Sequence, residues 1–190
     1  MKNLSKGFSV IELIVAVFIF SIVMTISIGA LLSMVDANRK ARTLETVINE
    51  VNFSMESMLR EVRLGTNYWC GYVWSASFPL VEETHGEDCE NGGNRIGFLS
   101  QDTVNTITYY VDGGVIKRAE NGVPSDVTSD NVTITRFDVY VFNARENRND
   151  LQPLAVFVVE GETNFGNEKY QSTFSLQTSA TPRKYDDDEL

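Results

Sequence analysis

Few side chains in this sequence have the types and spacing that chemistry requires, and its two cysteines stand out first. Cys70 and Cys89 have 18 residues between them. A zinc site normally needs four ligands, so the pair fits one disulfide in an oxidising compartment better than a metal site. Two free buried thiols are the alternative. A disulfide would place this part of the chain outside the cytoplasm.

The remaining reactive groups do not form a catalytic pattern. His85, the only histidine, lies in the acidic stretch 82–90, and no G-x-S-x-G or other nucleophile signature occurs in the chain. Neighbouring carboxylates at 82–83 and 87–88 lack the residues of a carbohydrate site. We therefore expect no catalytic residue and no enzyme activity.

Two acidic stretches are candidates for a cation site. Glu87–Glu90 and Asp126–Asp130 are rich in carboxylates, which are the ligands that calcium prefers. Neither stretch has the ligand spacing of an EF-hand loop, so we expect solvated surface, with no metal and no cofactor.

Charge separates the start of the chain from the rest. The 190 residues carry a formal net charge of −10, and positions 36–190 contain 14 basic and 25 acidic side chains. An acidic surface repels phosphate backbones and anionic lipid headgroups. We therefore expect no direct nucleic-acid partner.

A long apolar run lies near the N-terminus. Leu13–Val35 contains 23 residues without a charge, more than the roughly 20 that span a bilayer core. No small-residue cleavage site of the A-x-A kind follows the run, as it would in a secretory signal peptide. The distinctive residues come before the run instead. They are two lysines, a glycine, an aromatic residue and a glutamate: Lys2, Lys6, Gly7, Phe8 and Glu12.

This order of residues resembles the class III leader of type IV pilins and type II secretion pseudopilins. The resemblance covers residues 2–35. It implies cleavage after Gly7 by the prepilin peptidase and methylation of the new amine of Phe8. It also implies that the apolar run lies in the inner membrane before assembly and in the filament core afterwards. The implied partners are other pilin or pseudopilin subunits, an inner-membrane assembly platform and the membrane itself.

Glu12 is the unusual residue of this segment. A carboxylate inside a membrane helix costs about 2.5–3.5 kcal/mol on insertion scales, so such residues usually have a specific partner. The resemblance implies that the partner is the α-amino group of Phe8 in a neighbouring subunit, since pairing offsets the desolvation of both charges. Alternatively, Glu12 lies solvated at the headgroup interface.

Basic residues flank both sides of the apolar run, so their count does not fix its orientation. The disulfide and the cleavable leader both favour a cytoplasmic N-terminus and a C-terminal domain outside. We divide the chain into a leader at 1–7, a membrane and filament-core helix at 8–35, an amphipathic half-helix at 36–64 and a β-rich domain at 65–190.

The amphipathic half follows from helical periodicity. Apolar residues recur three and four positions apart and predict one buried stripe, with Gly65 as the stop: Leu44, Val47, Ile48, Val51, Met55, Met58, Leu59 and Val62. Gly29 lies within the apolar run without a proline nearby, so we expect no sharp kink there.

From Arg95 onward the periodicity changes to two. Alternating segments rich in β-branched and aromatic residues predict strands at Arg95–Leu99, Val104–Val111, Val115–Arg118, Val132–Ala144, Leu154–Glu160 and Tyr170–Thr178. Asp112-Gly113-Gly114 predicts a tight hairpin. The expected fold is α+β, with the long N-terminal helix packed on an antiparallel sheet.

Residues 66–93 show neither period and are predicted to be irregular. Their aromatic cluster and acidic loop make them a candidate ligand or partner surface; alternatively the aromatic side chains cap the sheet edge. The whole pattern suggests a minor pilin or pseudopilin of a type IV pilus-like or type II secretion filament. The alternative is a membrane-anchored binding module or adhesin that uses 66–93.

Overall fold

The computed structural model describes residues 7–71, 86–101, 104–144, 151–164 and 171–182. Contacts divide the chain into two compact units, Met1–Arg42 and Thr43–Leu190. One helix, α1 (Val10–Leu64), contributes residues to both units. His85 and most of the aromatic and acidic segment between the two cysteines lie outside the described residues.

Helix α1 has 55 residues, and its buried side chains all lie between Val47 and Val62. Six of the seven belong to the predicted apolar stripe, and the seventh is Ser54. Leu44 and Ile48 of the stripe are half-buried, so the stripe is confirmed as core from Val47 onward. The helix runs unbroken through Gly29 and ends at Leu64, so Gly65 is confirmed as the stop. A Cβ at position 65 would lie 2.4 Å from the ring of Phe98, which leaves room there only for glycine.

Nine strands follow α1 in the described part of the chain. Their bounds are β1 Thr66–Gly71, β2 Cys89–Gly93, β3 Arg95–Leu99, β4 Thr106–Asp112, β5 Val115–Glu120, β6 Val123–Asp126, β7 Val132–Phe142, β8 Leu154–Thr163 and β9 Thr173–Ala180. They form a five-stranded sheet in the order β1-β3-β4-β5-β6 and a four-stranded sheet in the order β2-β7-β8-β9. All pairings are antiparallel. The α+β class is thus confirmed, with two sheets in place of the single sheet expected.

The β4–β5 connection is the hairpin that the sequence predicts. Asp112 pairs with Val115 across a two-residue loop. Gly113 and Gly114 have φ values of 61° and 79°. Two successive positive φ angles define a type I′ turn, whose twist matches that of the flanking strands.

Three strands differ from expectation. The segment predicted to be irregular at 66–93 contains β1 and β2, and β6 lies between the strands predicted at Val115–Arg118 and Val132–Ala144. Strand β2 is rich in polar and glycine residues, and its register with β7 is irregular. Every residue of β6 is exposed. None of the three strands has the alternation of a half-buried strand: β6 is wholly exposed, β2 is irregular, and Tyr68 is the only buried residue of β1.

The core of the second unit lies between the buried stripe of α1 and the inner faces of both sheets. Its largest fully buried side chains are Tyr68, Tyr109, Phe98, Phe157, Met58, Ile96 and Ile116. The hydroxyl of Tyr68 shares its proton between the carbonyl oxygens of Val62 and Gly65. The Val62 carbonyl, which also accepts from the Gly65 amide at 3.3 Å, and the Gly65 carbonyl lie at the end of α1, where carbonyls lack the usual helical donor, so Tyr68 caps the helix.

A polar contact fastens α1 to the five-stranded sheet beside this core. The Glu61 carboxylate accepts hydrogen bonds from the Tyr109 hydroxyl and from Arg118 Nε, both at 2.8 Å. Arg118 also donates to Glu120 at 2.8 Å. Burial and the adjacent Glu61 charge raise the pKa of Tyr109 above its usual value. The phenol therefore stays protonated and remains a donor.

We expect Tyr109→Phe to lower the free energy of unfolding by about 1–2 kcal/mol at pH 7, because the partly exposed carboxylate of Glu61 no longer accepts a hydrogen bond from the Tyr109 hydroxyl. The folded pKa of Tyr109 is raised, so its contribution is complete below the unfolded value near 10 and is lost as pH rises above it. The variant should therefore lose stability less steeply than wild type above about pH 10.

Denaturant unfolding at pH 7, 9 and 11 measures both effects. Tyr140→Phe is the control, since Tyr140 is a partly exposed tyrosine on the other sheet. An alkaline slope that is the same in Tyr109→Phe and wild type would contradict the assignment.

Candidate assembly site

The N-terminal residues singled out by the sequence lie together at the start of α1. Gly7 and Phe8 immediately precede the helix, and both are exposed. The Leu13 amide donates to the Ser9 carbonyl at 3.1 Å, a helical bond. Glu12 is thus in the first turn of α1. The positive end of the helix dipole stabilises a carboxylate there.

Glu12 is exposed, and no ion pair or hydrogen bond to it is found in the described part of the chain. Position 7 is equally open: a Cβ there would meet no atom within 4 Å. The described part of the chain therefore does not hold either residue in place by packing.

The first part of α1 is apolar on every side. An 18-residue window has a mean hydropathy of 2.6, and none of it is buried. Large hydrophobic side chains on all faces are more than 40% exposed, from Phe8 at 70% to Val35 at 41%. By length and composition, α1 is able to cross a membrane. An all-round apolar surface of this kind needs lipid or other helices to cover it.

The hydroxyl groups within this apolar surface are already satisfied. Ser21, Thr25 and Ser27 each donate to the carbonyl oxygen four residues earlier, at 2.8 Å, and Ser33 does so at 3.1 Å. A hydroxyl that bonds back to its own helix presents little polar surface to hydrocarbon. The sequence showed these residues but not their bonds, which depend on the side-chain rotamers.

The cysteine pair lies at a different place, where the two sheets approach each other. Cys70 of β1 and Cys89 of β2 form a disulfide, with Cα atoms 5.8 Å apart. Strand β1 belongs to the five-stranded sheet and β2 to the four-stranded sheet. The disulfide is therefore a covalent link between sheets, a role that the spacing of the cysteines in the sequence does not reveal.

Close backbone contacts surround this link. The Glu87 amide donates to the Tyr68 carbonyl at 2.8 Å, and the Asn94 amide donates to the Gly71 carbonyl at 3.0 Å. A Cβ at Gly93 would lie 2.7 Å from the Gly71 nitrogen. Glycine is required at position 93 because the two strands touch through their backbones.

Two carboxylates in the acidic stretches considered for calcium contact groups of the protein itself. Among the described residues, no group of three or more His, Cys, Asp or Glu side chains is placed to hold a metal ion. Asp126 instead pairs with Lys117 at 2.9 Å. The Asp88 carboxylate accepts a hydrogen bond from the Ala144 amide at 2.6 Å.

Comparison with known proteins bears on the N-terminal segment. Residues 2–34 match the family model of the prokaryotic N-terminal methylation motif. The chain carries a prepilin-type leader. This motif is characteristic of type IV pilins and pseudopilins, so the predicted resemblance is confirmed. It implies processing by a prepilin peptidase and assembly with other pilin subunits.

The matched segment is 33 of the 190 residues. No curated protein and no solved structure matches the chain. The motif thus supports a pilin-like or pseudopilin precursor through the leader and the start of α1, and the β-rich unit is described from its own structure.

We expect both cysteines to resist alkylation unless the protein is first reduced. Mass spectrometry of the native, correctly localised protein, with and without reduction, measures this. In the chain-entropy model, a loop of this size adds about 3 kcal/mol to the free energy of unfolding. The double variant Cys70→Ser, Cys89→Ser should lose about that amount.

The single variant Cys70→Ser is the matched control, because it also opens the loop but leaves one free thiol. Alkylation of two cysteines in unreduced protein would contradict the bond. An equal free energy of unfolding in wild type and the double variant would show that the disulfide does not stabilise the fold.

Proposed function

We propose that this chain is a structural minor subunit, a minor pilin or pseudopilin, of a type IV pilus-like or type II secretion filament. The motif at residues 2–34, placed on a helix whose apolar half is uncovered, is the observation that carries the proposal. A binding module on a plain membrane tether would not need a leader motif of this kind.

The proposed processing uses Gly7 and Phe8. Prepilin peptidase cleaves between them, and the new amine of Phe8 is methylated. Their exposure ahead of α1 supports this, because a peptidase must reach an extended backbone rather than a helix. After cleavage, Phe8 begins the mature chain, and Glu12 lies four residues beyond it.

The proposed assembly pairs Glu12 with the Phe8 amine of a neighbouring subunit. Before assembly, the subunit is a single-pass protein of the cytoplasmic membrane, with its N-terminus inside and the β-rich unit outside. Placing the Glu12 carboxylate in the membrane then costs about 2.5–3.5 kcal/mol on insertion scales. The absence of a partner for Glu12 among the described residues of one copy supports a partner from a second subunit. Pairing with that amine offsets the cost inside the filament.

The disulfide supports the outward placement of the β-rich unit. Cys70 and Cys89 are bonded, and structural disulfides persist in oxidising compartments and are rare in the cytosol. The inner-membrane assembly platform would then draw the apolar half of α1 out of the bilayer. The exported unit would stay folded throughout this transfer.

We expect Gly7→Val to leave the leader attached, because the peptidase must approach a backbone that has no side chain. Intact mass of the wild-type protein should show loss of the first seven residues and gain of one methyl group. The surroundings of Gly7 are open, so a processing defect cannot come from a clash within the folded chain.

Gly29→Val is the matched control for this variant. It adds the same side chain at another glycine with open surroundings, well inside α1. It should be cleaved and methylated as wild type is. Normal cleavage of Gly7→Val would show that the leader is assigned to the wrong junction.

We expect Glu12→Val to insert readily in the membrane but to be depleted about tenfold or more from sheared filaments. The replacement removes the cost of burying a carboxylate in lipid but leaves the neighbour's amine without its partner. Quantitative immunoblots of membrane and filament fractions, each relative to an unmodified major subunit, measure the two steps separately.

Glu45→Val is the control, since Glu45 is another exposed carboxylate of α1 but lies outside the apolar run. It should enter filaments at wild-type abundance. Wild-type abundance of Glu12→Val in filaments would contradict the pairing with the neighbour's amine. It would favour the alternative, in which Glu12 lies solvated at the headgroup interface.

A further inference from the structure

Each sheet of the β-rich unit ends in one strand that is far from the disulfide junction. These strands are β6 in the five-stranded sheet and β9 in the four-stranded sheet. An outer strand presents unpaired amide and carbonyl groups that can pair with a strand of another chain. The two outer strands differ in whether their residues block pairing with another strand.

Strand β6 is protected against pairing. The Val127 amide donates to the Ile116 carbonyl, and Lys117 lies opposite Asp126. Hydrogen-bonded pairs alternate along an antiparallel ladder, so Pro124 and Asp126 are the β6 residues whose backbones point outward. Proline has no amide proton to offer there, and Asp126 carries a charge.

Among the residues that the structure describes, strand β9 has no comparable protection. The Thr163 amide donates to the Ser172 carbonyl, and Glu162 lies opposite Thr173. By the same alternation, the outward-pointing amides and carbonyls of β9 belong to Thr173, Ser175, Gln177 and Ser179. All four side chains are exposed, and β9 contains neither proline nor charge.

The inner face of β9 is incompletely covered at its edge. Phe174 and Ala180 are buried at 8% and 2% exposure. Leu176 is only partly buried and packs against the core. An added strand with apolar side chains on this face would extend the core past Leu176 and remove more apolar surface from water.

The outer face beside β9 carries negative charge. Ser175 lies opposite Glu160, and Thr173 lies opposite Glu162. These four residues line a shallow hollow of about 400 Å³. Glu160 is paired with Arg136 at 3.1 Å. Among the described residues no ion pair to Glu162 is found, so a basic side chain on an added strand would supply the complementary charge on this face.

We propose that the free edge of β9 is an acceptor site for an extended segment of another protein chain. The segment adds a fifth strand to the four-stranded sheet. It has apolar side chains at alternate positions that face the Leu176 side, and at least one lysine or arginine between them that faces Glu162. This site is separate from the leader and the apolar half of α1 and does not depend on filament assembly.

The test uses the full chain in micelles of a neutral detergent and a fluorescein-labelled eight-residue peptide. The peptide alternates valine with threonine or lysine and carries two lysines. We expect saturable binding by fluorescence anisotropy. A scrambled peptide of the same composition, without alternation, is the control for simple charge attraction and should bind about tenfold more weakly or not at all.

Two N-methylated forms of the peptide test strand pairing on the unmodified protein. One form carries N-methyl groups on the residues whose amides face β9, and the other carries them on the intervening residues. Alternate residues of the bound peptide direct their amides toward β9, and the residues between them direct theirs away from it. The first form should therefore bind at least about tenfold more weakly than the second.

Variants of β9 test the same contact from the acceptor side. Gln177→Pro removes an outward amide while leaving the bonds to β8, and should weaken binding about tenfold. Gln177→Ala keeps the backbone and should bind within about twofold of wild type. Glu162→Gln should weaken binding a few fold and reduce its dependence on salt.

The proposal fails if the alternating peptide does not bind at about 1 mM, or if both N-methylated forms bind equally. It also fails if Gln177→Pro binds like wild type with its disulfide intact. A doubled mass by light scattering that reverts to monomer in Gln177→Pro would show a second copy of this chain on β9 and would replace the proposed partner.

Discussion

One helix of this protein must satisfy two different surroundings, and the rest of the structure depends on that constraint. The buried side chains of α1 lie only between Val47 and Val62, whereas the run before Val35 is apolar on every side and uncovered. A one-sided stripe suits a sheet, and an all-round apolar surface suits lipid or a bundle of helices. The change from one pattern to the other fixes where the β-rich unit begins.

The β-rich unit is organised around the seam between its sheets. The chain passes from β2 in one sheet to β3 in the other through Asn94 alone. Backbone contact at Gly93 and the Cys70–Cys89 bond hold the seam closed. The outer strands β6 and β9 lie at the opposite ends of the two sheets from the seam, so the contacts that stabilise the seam are separate from the β9 edge proposed as an acceptor site.

Much of this architecture could be predicted from local patterns. The six strands expected from alternation are all present, and their ends shift by at most three residues. The helix stop at Gly65 and the turn at Gly113-Gly114 follow from the conformational freedom of glycine. Each of these features depends on neighbours in the sequence, which is why periodicity and turn chemistry reveal them.

The features that were missed depend on partners distant in the sequence. Strand β2 contains two glycines and a mismatch in register, and β6 contains a proline, so neither resembles a strand until its partner is known. The Glu61–Tyr109–Arg118 contact requires the register of β4 against β5. The leader residues, by contrast, can be recognised from the sequence because they are close neighbours along the chain.

The position of the disulfide determines how mechanical tension would pass through the subunit. A pull on α1 reaches the five-stranded sheet at β1, directly after Gly65. From Cys70 it reaches the second sheet through a single covalent bond, without passing through the 18 residues between the cysteines. The path from the helix to the second sheet therefore runs through β1 and one covalent bond, close to the place where α1 ends.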